Sequence, residues 1–381
     1  MKVVSTRRGA AVLLLLMAHL YGAGQGPQSS EALSRVVYVT LQVESSVDVP
    51  GVSDPFITAP VVCGADGAIF VRTATVNAVS DLIAVSRDGK STTSFGVSKI
   101  TDIVNPSLTT FFVRDSDAYL LVRGSTAEGR TLTLHRPDGS AENQPAYSSR
   151  QYIAHFRADG TYLGAVALDV PIRPLQIGTF PNGDFLIAGT TMDMRETRVA
   201  LVKANGQFDR FLELTDDIRL QSESGPETPP SSASLPQTGK HFGESFFEAT
   251  QVSAIIADGR NLLLVRKGQK VPVFSVSPAG QGEAVHLDVP DGYSLWDIKT
   301  TRAFWVALYI HRLPEGKGVE FSSMALDPKT GKALERYSYT SFPGFGLACT
   351  DGIEFSFLIR EDNKLKILKL ISSHVSSSAE N

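Results

Sequence analysis

The feature that most constrains this chain is a repeated β-hairpin, in which a short run of apolar and β-branched residues turns at Asp-Gly or Asn-Gly into a second such run. These dipeptides between apolar runs predict hairpins because Asp, Asn and Gly tolerate the left-handed backbone of a tight turn. Clear examples turn at Asp66-Gly67, Asn182-Gly183, Asp258-Gly259 and Asp351-Gly352. The same pattern recurs around Asp115-Ser116-Asp117 and, without a glycine, between Leu295 and Leu308.

A second kind of hairpin alternates with the first, and its leading run has an apolar-polar period of two. Such a period is typical of a strand with one covered face. These hairpins turn at Asp88-Gly89, Asp159-Gly160, Asn205-Gly206, Pro278-Ala279-Gly280 and from Asp327-Pro328 to Gly331. Two unlike hairpins make a four-stranded antiparallel sheet, and such units recurring about every 40 to 75 residues predict a radial array of sheets.

The predicted fold is therefore all-β, a β-propeller of about six four-stranded antiparallel blades. Thr131–Pro145 imitates one more second-type hairpin, which we interpret as an insertion in the second blade; seven blades are the alternative. The hairpin rhythm resembles that of the six-bladed NHL-like repeat propellers over nearly the whole chain after the leader. This resemblance implies a fold and carries no activity with it. The two tryptophans, Trp296 and Trp305, fall in one blade and do not repeat.

The two ends of the repeat complement each other. After the last Asp-Gly hairpin only one further run, Leu365–Leu370, precedes a polar tail, so the last sheet is one strand short. A matching run, Val36–Leu41, stands alone before the first hairpin. We expect Val36–Leu41 to pair with Leu365–Leu370, because this pairing would close the ring and cover an exposed sheet edge.

The amino terminus predicts export. Residues 1–24 combine a basic start, the apolar stretch Ala10–Leu20 and the small residues Gly22–Gly24, which are the three zones of a signal peptide. An apolar stretch of about a dozen residues is too short for a comfortable span of the bilayer. We therefore predict cleavage near Gly24 by the general secretory route, a secreted or periplasmic protein, and no membrane span after cleavage.

Composition divides the remaining chain. Residues 25–372 carry the hairpins and form the predicted propeller domain. Within it, residues 221–243 are rich in Ser, Pro, Glu and Thr and nearly free of large apolar side chains. Such a segment buries too little to offset the entropy lost on ordering, so we predict a mobile surface insertion there. Residues 373–381 form a polar tail.

Cys63 and Cys349 are the only cysteines, and each lies on the leading run of an Asp-Gly hairpin, one in the first blade and one in the last. These blades are neighbours only if the ring closes. Export would allow a disulfide to persist, and a disulfide here would hold the closing seam together. The alternative is two buried thiols that pack as small apolar side chains, because equivalent strands of adjacent blades can be too far apart to bridge.

The sequence contains no motif with a recognisable chemistry. Gly243-Glu244-Ser245-Phe246-Phe247 lacks the second glycine of a serine-hydrolase elbow. Asp115 and Asp117 are too few for a calcium loop and are better explained by turn chemistry. The histidines beyond the leader lack metal-binding spacing; they are His135, His155, His241, His286, His311 and His374. We therefore predict no catalytic residue, no metal site and no cofactor.

Charge disfavours one class of partner, and the fold leaves three functions open. A formal net charge of −4, with acids and bases interspersed, creates no field that would gather nucleic acid. The favoured function is a monomeric, exported, non-catalytic propeller that binds a protein, peptide or glycan. The alternatives are a propeller enzyme, lactonase- or lyase-like with its site in the central funnel, and a structural or adhesive module of the cell envelope.

Overall fold

Strands make up nearly all of the regular structure of this protein. The structure is a computed structural model that describes residues 36–53, 56–75, 78–135, 140–194, 197–214, 220–222, 251–255, 260–264, 272–301, 303–313, 319–339 and 346–372. All of these belong to one unit, Val36–Asn381. Their only helix is a short 3₁₀ turn, Val97–Lys99. No described helix has the length and apolar character needed to cross a membrane.

Most strands fall into runs of four that are consecutive in the chain and antiparallel. Two runs are separate sheets, β2 (Phe56–Cys63), β3 (Ile69–Thr75), β4 (Ala78–Val85) and β5 (Thr92–Phe95), and β6 (Val104–Arg114), β7 (Asp117–His135), β8 (Ala141–Phe156) and β9 (Tyr162–Ala167). The next two are β10 (Arg173–Thr179), β11 (Phe185–Thr190), β12 (Thr197–Val202) and β13 (Phe208–Leu214), and β15 (Gln251–Ile255), β16 (Asn261–Leu264), β17 (Pro272–Val276) and β18 (Gly282–His286). Then come β19 (Ser294–Thr300), β20 (Trp305–Arg312), β21 (Val319–Leu326) and β22 (Ala333–Tyr339), and finally β23 (Leu347–Thr350), β24 (Glu354–Glu361) and β25 (Lys364–Ser372).

The runs of four strands are built from the two hairpin types that the sequence predicts, and the last run has only three strands of its own. In the first run, β2 and β3 join at Asp66-Gly67, and β4 and β5 join at Asp88-Gly89. Gly67 and Gly89 have φ values of 81° and 75°, a left-handed conformation that glycine adopts without a steric penalty. The prediction of an all-β protein composed of four-stranded antiparallel sheets is therefore confirmed.

Two further strands join neighbouring runs into larger sheets. β14 (Leu220–Ser222) lies between β13 and β18, which makes a sheet of nine strands. β1 (Val37–Ser53) lies between β22 and β25, which makes a sheet of eight. Both strands cover edges that would otherwise offer unpaired backbone groups.

The partner of β1 is the predicted one, but its register is different. Val43–Asp48 runs antiparallel to Lys366–Leu370 of β25, whereas Val37–Leu41 pairs in parallel with Glu335–Tyr339 of β22. The predicted pairing of Val36–Leu41 with Leu365–Leu370 is therefore wrong. The physical reason is length, because β1 has 17 residues and is long enough to cross from one run to the next.

The β7–β8 hairpin continues beyond its neighbours. β6 pairs with β7 only as far as Val104 and Ser125, whereas β7 and β8 remain paired out to His135 and Ala141. Thr131–His135 and Ala141–Pro145, from the segment interpreted as an insertion in the second blade, are thus paired within this hairpin. They extend the two middle strands of the second run and do not start a separate sheet.

The first strands of the runs face one another. β6 contacts β2 and β10, β15 contacts β10 and β19, and β23 contacts β19 and β2. Every one of these first strands has a β-bulge against its partner strand. A bulge bends a strand and increases its twist, so the same local distortion recurs in the first strand of every run.

Apolar side chains fill the spaces between neighbouring runs. Phe70, Phe95 and Phe156 pack in a chain with ring centroids 5.5 and 6.1 Å apart, and all three are fully buried. Burying one such ring stabilises the fold by about 1.5 to 3 kcal/mol. Adjacent residues of β7 pack against different runs: Leu120 packs against the first run and Leu121 against the third. Strand β7 is therefore apolar on both faces.

Several predictions concern residues outside the described ranges. These are the signal peptide over residues 1–24, residues 223–243 of the predicted mobile insertion, the polar tail over 373–381, the Gly243–Phe247 segment, and His241 and His374. Gln221 and Ser222, the first two residues of the predicted insertion, lie in β14.

Candidate functional site

A disulfide joins the first and last runs. Cys63 ends β2, Cys349 lies on β23, their Cα atoms are 5.1 Å apart and their sulfur atoms are bonded. Of the two alternatives for these cysteines, the structure contains the disulfide. The bond links positions 286 residues apart, and in the loop-entropy model a cross-link over such a distance stabilises the fold by about 5 to 6 kcal/mol.

Charged side chains beside the disulfide pair across the boundary between the first and last runs, which we call the seam. Arg87, next to the β4–β5 turn, places Nη2 2.8 Å from Oδ2 of Asp351 and Nε 3.5 Å from Oε1 of Glu354. Lys369 on β25 places Nζ 3.1 Å from Oε1 of Glu354. Partly exposed pairs of this kind contribute little individually, and a network contributes more.

This ionic network shifts the pKa values of two of its members. The hydrogen bond with Asp351, together with the charge of Glu354, raises the pKa of Arg87. Burial raises the pKa of Asp351, but the backbone N–H groups of Glu354 and Ile353 and the Arg87 guanidinium outweigh burial, so the net pKa is lowered. Both shifts favour the charged forms that pair across the seam.

A cavity of about 160 Å³ opens beside the disulfide and is lined by both cysteines and by this ionic network. Asp66 also lines it, and one of its carboxylate oxygens accepts hydrogen bonds from the backbone N–H of Ala68 (3.1 Å) and the hydroxyl of Ser116 (2.8 Å). The charged groups around the cavity thus bind one another. We call the ends of the sheets that hold Asp66, Ser116 and Asp351 the turn face. Its contacts hold neighbouring runs together.

A second pair of titratable groups lies on the second run. His155 Nε2 is 2.9 Å from Oδ2 of Asp117, and the ring of Tyr119 stacks on the imidazole with centroids 4.4 Å apart. Burial raises the pKa of Tyr119. A carboxylate can orient an imidazole for proton transfer, but Asp117 also accepts the backbone N–H of Ala158 at 3.0 Å. These contacts tie together the two turns of one run.

Asp115 and Ser116 form the tight turn that precedes Asp117. Their φ values are 50° and 69°, so both residues are left-handed, whereas in the described Asp-Gly turns only the glycine has a positive φ. This geometry agrees with the interpretation of Asp115 and Asp117 as turn residues.

Lys299 lies where the first strands face one another. Its side chain is almost fully buried, and Nζ is 2.7 Å from Oδ2 of Asp297 and donates to the carbonyl oxygen of Val61 at 2.5 Å. Val61 is on β2 and Lys299 on β19, so this contact crosses between the first strands of two runs.

The other histidines whose side chains are described, His286 and His311, lie on different strands. His311 Nδ1 is 2.6 Å from the carbonyl oxygen of Gly292, and His286 is exposed on β18. Within the described ranges, no group of three or more His, Cys, Asp or Glu side chains is placed to hold a metal ion. The predicted lack of a catalytic, metal or cofactor site stays a prediction.

Large apolar side chains are exposed at the opposite ends of the sheets. Tyr147 lies on the extended part of β8, Met192 and Met194 lie between β11 and β12, and Trp296 is the bulge residue near the start of β19. Their exposed fractions are 50%, 73%, 53% and 46%. We call these ends, where second strands lead to third strands, the connection face.

Sequence reasoning found the cysteine pair and missed the other contacts. Arg87 and Asp351 are 264 residues apart, and His155 and Asp117 are 38 apart. The one available signal is equivalence within the repeat, because Arg87 and Asp351 both adjoin or belong to hairpin turns. Nothing in their local sequence separates them from other surface charges.

Successive four-stranded antiparallel sheets whose first strands contact one another define the β-propeller class of proteins. No family model and no curated protein matches this sequence. Among solved structures, the chain is similar to a protein of unknown function from Bacteroides caccae (TM-score 0.41, 13% identity, 73% of this chain and 80% of that chain). It is also similar to YCF48 bound to D1 peptide (0.39, 11%, 88% and 97%) and to the Pan2 WD40 domain of Neurospora crassa (0.39, 8%, 87% and 95%). Identities this low transfer no activity, ligand or partner.

Proposed function

We propose that the chain forms a closed propeller of six blades, in which each run is one blade and β1 completes the last. The contacts between first strands support this closure, because they lead from β2 through β6, β10, β15, β19 and β23 and back to β2. The disulfide and the Arg87–Asp351 pair both fall on the last step of that cycle.

A repeated turn contact supports the same closure. A Cβ on Gly206, in the second-hairpin turn of the third run, would lie 2.0 Å from the carbonyl oxygen of Ala167 on the outer strand of the preceding run. Gly331 has the same relation to His286, at 2.1 Å. In the first run, the equivalent Gly89 abuts Val47 of β1. β1 therefore takes the position of the outer strand of the preceding blade.

We further propose that this propeller is a monomeric, exported, non-catalytic binding protein whose ligand sits on the connection face. The observation that carries the proposal is the unequal distribution of side chains between the two faces. The turn face is held by a disulfide and mutually paired charges, and its exposed apolar side chains are the aliphatic Leu163, Leu334 and Ile353. The connection face instead exposes aromatic and Met side chains, which are Tyr147, Met192, Met194 and Trp296. Exposed Trp, Tyr and adaptable Met side chains are enriched at interaction surfaces.

The disulfide also supports export, because such bonds persist in oxidising compartments. The Lys299 contact with Val61 favours a binding surface over an enzyme site in the central funnel, since this side chain occupies part of that space. A structural envelope module would use the same exposed side chains, but for self-association.

Site-specific photocrosslinking in cells that export the full chain tests the proposal. Benzoylphenylalanine at Met192 should give discrete adducts with another molecule, and at Asp159, exposed on the turn face, it should not. Adducts of the chain with itself would support the envelope module. Equal crosslinking from both positions, or none from Met192, Tyr147 and Trp296, would contradict a ligand on the connection face.

A further inference from the structure

The cavity beside the disulfide has one wall on the first run and one on the last. The first wall is the turn Gly64–Gly67 with the stem of Arg87, which packs so closely that a Cβ on Gly67 would lie 2.9 Å from Cδ of Arg87. The second wall belongs to the last run and includes Glu354 and Ser356. A molecule in this cavity would therefore contact both sides of the seam.

Ser356 presents to this cavity a hydroxyl that the described protein does not use. The residue is 5% exposed and pairs directly with Cys349, and opposed residues of an antiparallel pair project from the same face. Because Cys349 bonds to the first run, the side chain of Ser356 also points toward the first run and the cavity. Among the described residues its hydroxyl has no hydrogen-bond partner. A buried hydroxyl is normally hydrogen-bonded, so this one is suited to a ligand.

Asp66 supplies a second unused group. Its Oδ1 accepts both of its hydrogen bonds, from the backbone N–H of Ala68 and the hydroxyl of Ser116, so Oδ2 has no partner within the part of the chain that the structure describes. No described lysine or arginine pairs with Asp66, whereas the other two carboxylates of the cavity belong to the ionic network of the seam. The cavity therefore holds one carboxylate whose charge no ion pair balances.

Charge and hydrogen bonding together favour a singly charged ammonium group as the ligand. Three carboxylates and one guanidinium line the cavity, so its lining is negatively charged overall. An ammonium group has three N–H donors on a compact charge, which suits one free carboxylate oxygen and a hydroxyl of the same cavity. A guanidinium would use both oxygens of a carboxylate, and Oδ1 of Asp66 is already engaged. One free carboxylate is also too few for a calcium ion.

The size of the cavity limits what carries the ammonium group. The volume is about 160 Å³, close to the roughly 150 Å³ of an engineered cavity that binds benzene, so there is space for about six non-hydrogen atoms. Both cysteines line the cavity, and their sulfur atoms form a weakly polar surface on which methylene groups can pack. A short unbranched alkyl chain matches this volume and this surface.

We propose that this cavity binds the terminal ammonium group of an aliphatic amine through Asp66 and Ser356, with the alkyl chain against the disulfide. This second ligand site lies on the turn face and is separate from the site of the proposed function on the connection face. Two sources carry the same chemistry, a free amine and the lysine side chain of another protein.

The test compares three four-carbon probes, butylammonium, 1-butanol and butyrate, on the oxidised full-length mature protein. Titrations followed by NMR measure the affinities. We expect butylammonium to bind about tenfold more tightly than 1-butanol, and butyrate not to bind. Butylammonium should also raise the melting temperature, because a ligand that binds only the folded seam stabilises it. Equal affinities for the three probes, or no binding of butylammonium, would overturn the ammonium site.

Variants then locate the binding. Asp66→Asn should weaken butylammonium binding about tenfold, since the amide keeps an acceptor for the turn but loses the charge, and Ser356→Ala should weaken it separately. Asp159→Asn is the matched control, because Asp159 accepts the N–H of Thr161 as Asp66 accepts that of Ala68, but lies away from the cavity. Thiol labelling of each variant checks that the disulfide is intact. Full affinity in both Asp66→Asn and Ser356→Ala would contradict the site.

A fourth probe, Nα-acetyl-lysine methylamide, distinguishes the two sources. Affinity equal to that of butylammonium would assign the site to a lysine side chain of a partner, and clearly weaker binding would assign it to a free amine. Both results agree with an ammonium site at the seam. Neither depends on the ligand of the connection face, which crosslinking at Met192 tests separately.

Discussion

Glycines in the second-hairpin turns satisfy a local and a long-range constraint at the same residue. Gly206 has a φ of 85°, and the space where a side chain would begin is occupied by the carbonyl oxygen of Ala167. The carbonyl of Gly206 accepts the backbone N–H of Asp169 at 2.9 Å. The tight turn therefore explains why Gly206 needs a positive φ, and the contact with the neighbouring sheet explains why there is no room for a side chain.

Gly206→Ala should destabilise the protein more than Gly51→Ala. Both positions have a positive φ, which costs an alanine about 1 to 2 kcal/mol. Only at Gly206 does the added methyl group meet a backbone oxygen, whereas nothing lies within 4 Å at Gly51. We expect a further loss of about 1 to 3 kcal/mol for Gly206→Ala, measured by urea unfolding. Equal losses at the two sites would contradict the close approach of the sheets.

Asp351 should make stability depend on pH in the acid range. Its pKa is lowered in the folded protein from the ordinary 3.8, so its stabilising contribution is complete above 3.8 and is lost as the pH falls through the lower folded value. Melting temperatures should therefore fall less below about pH 4 in Asp351→Asn than in the wild type. Asp291→Asn, an exposed aspartate away from the seam, should follow the wild-type profile.

Among the strands, β1 joins parts of the chain that are very far apart in the sequence. It precedes every hairpin, yet it pairs with β22 and β25 near the other end of the chain. Leu41, where β1 passes from one partner to the other, is fully buried, and its core neighbours include Phe355 and Phe357 of β24. One strand thus helps to cover two cores.

Leu41→Ala should reduce the free energy of unfolding by about 2 to 5 kcal/mol, because it leaves a cavity in a packed core. Tyr38 lies three residues earlier on the same strand and is 73% exposed. Tyr38→Ala should change stability by less than about 0.5 kcal/mol. Chemical denaturation of both variants measures the difference, and similar effects would show that β1 is not held as described.

Elements made by neighbouring residues were predictable, and elements made by distant residues were not. The hairpins at Asp66-Gly67 and Asn205-Gly206 follow from turn chemistry and apolar periodicity within about a dozen residues. The register of β1 depends on how far two distant strands extend, which no local pattern encodes. The sequence placed an insertion in the second blade, but it did not predict that Thr131–His135 and Ala141–Pro145 continue β7 and β8 as one long strand pair.

At the scale of the whole molecule, the disulfide is the one covalent link between the ends of the repeat. Cys63→Ser with Cys349→Ser should lower the free energy of unfolding by up to about 5 to 6 kcal/mol. The wild type unfolded under reducing conditions should lose the same amount, which controls for effects of the serines. Unchanged stability in both cases would mean that the remaining seam contacts suffice.

Export makes a separate prediction about the whole chain. Expressed with its leader in a bacterium, the protein should be recovered outside the cytoplasm with Gln25 as its first residue and with no free thiol. Intact mass and thiol labelling of the unreduced protein measure both properties. A form that retains residues 1–24 would contradict a cleavable signal peptide.

The candidate site was the least predictable part. Tyr147, Met192 and Trp296 are ordinary apolar residues in the sequence, and nothing local distinguishes them from the buried Phe185 or Tyr309.

The sequence by itself determined the strand type, the hairpin turns, the four-stranded sheets and the candidate cysteine pair, because each depends on residue chemistry within a short stretch or on a unique residue type. Only the tertiary structure decided the register of β1, the bond between Cys63 and Cys349, the mutual pairing of charges on one face and the exposure of apolar side chains on the other. Burial and pairing depend on which distant strands meet, and that is a property of the assembled sheets.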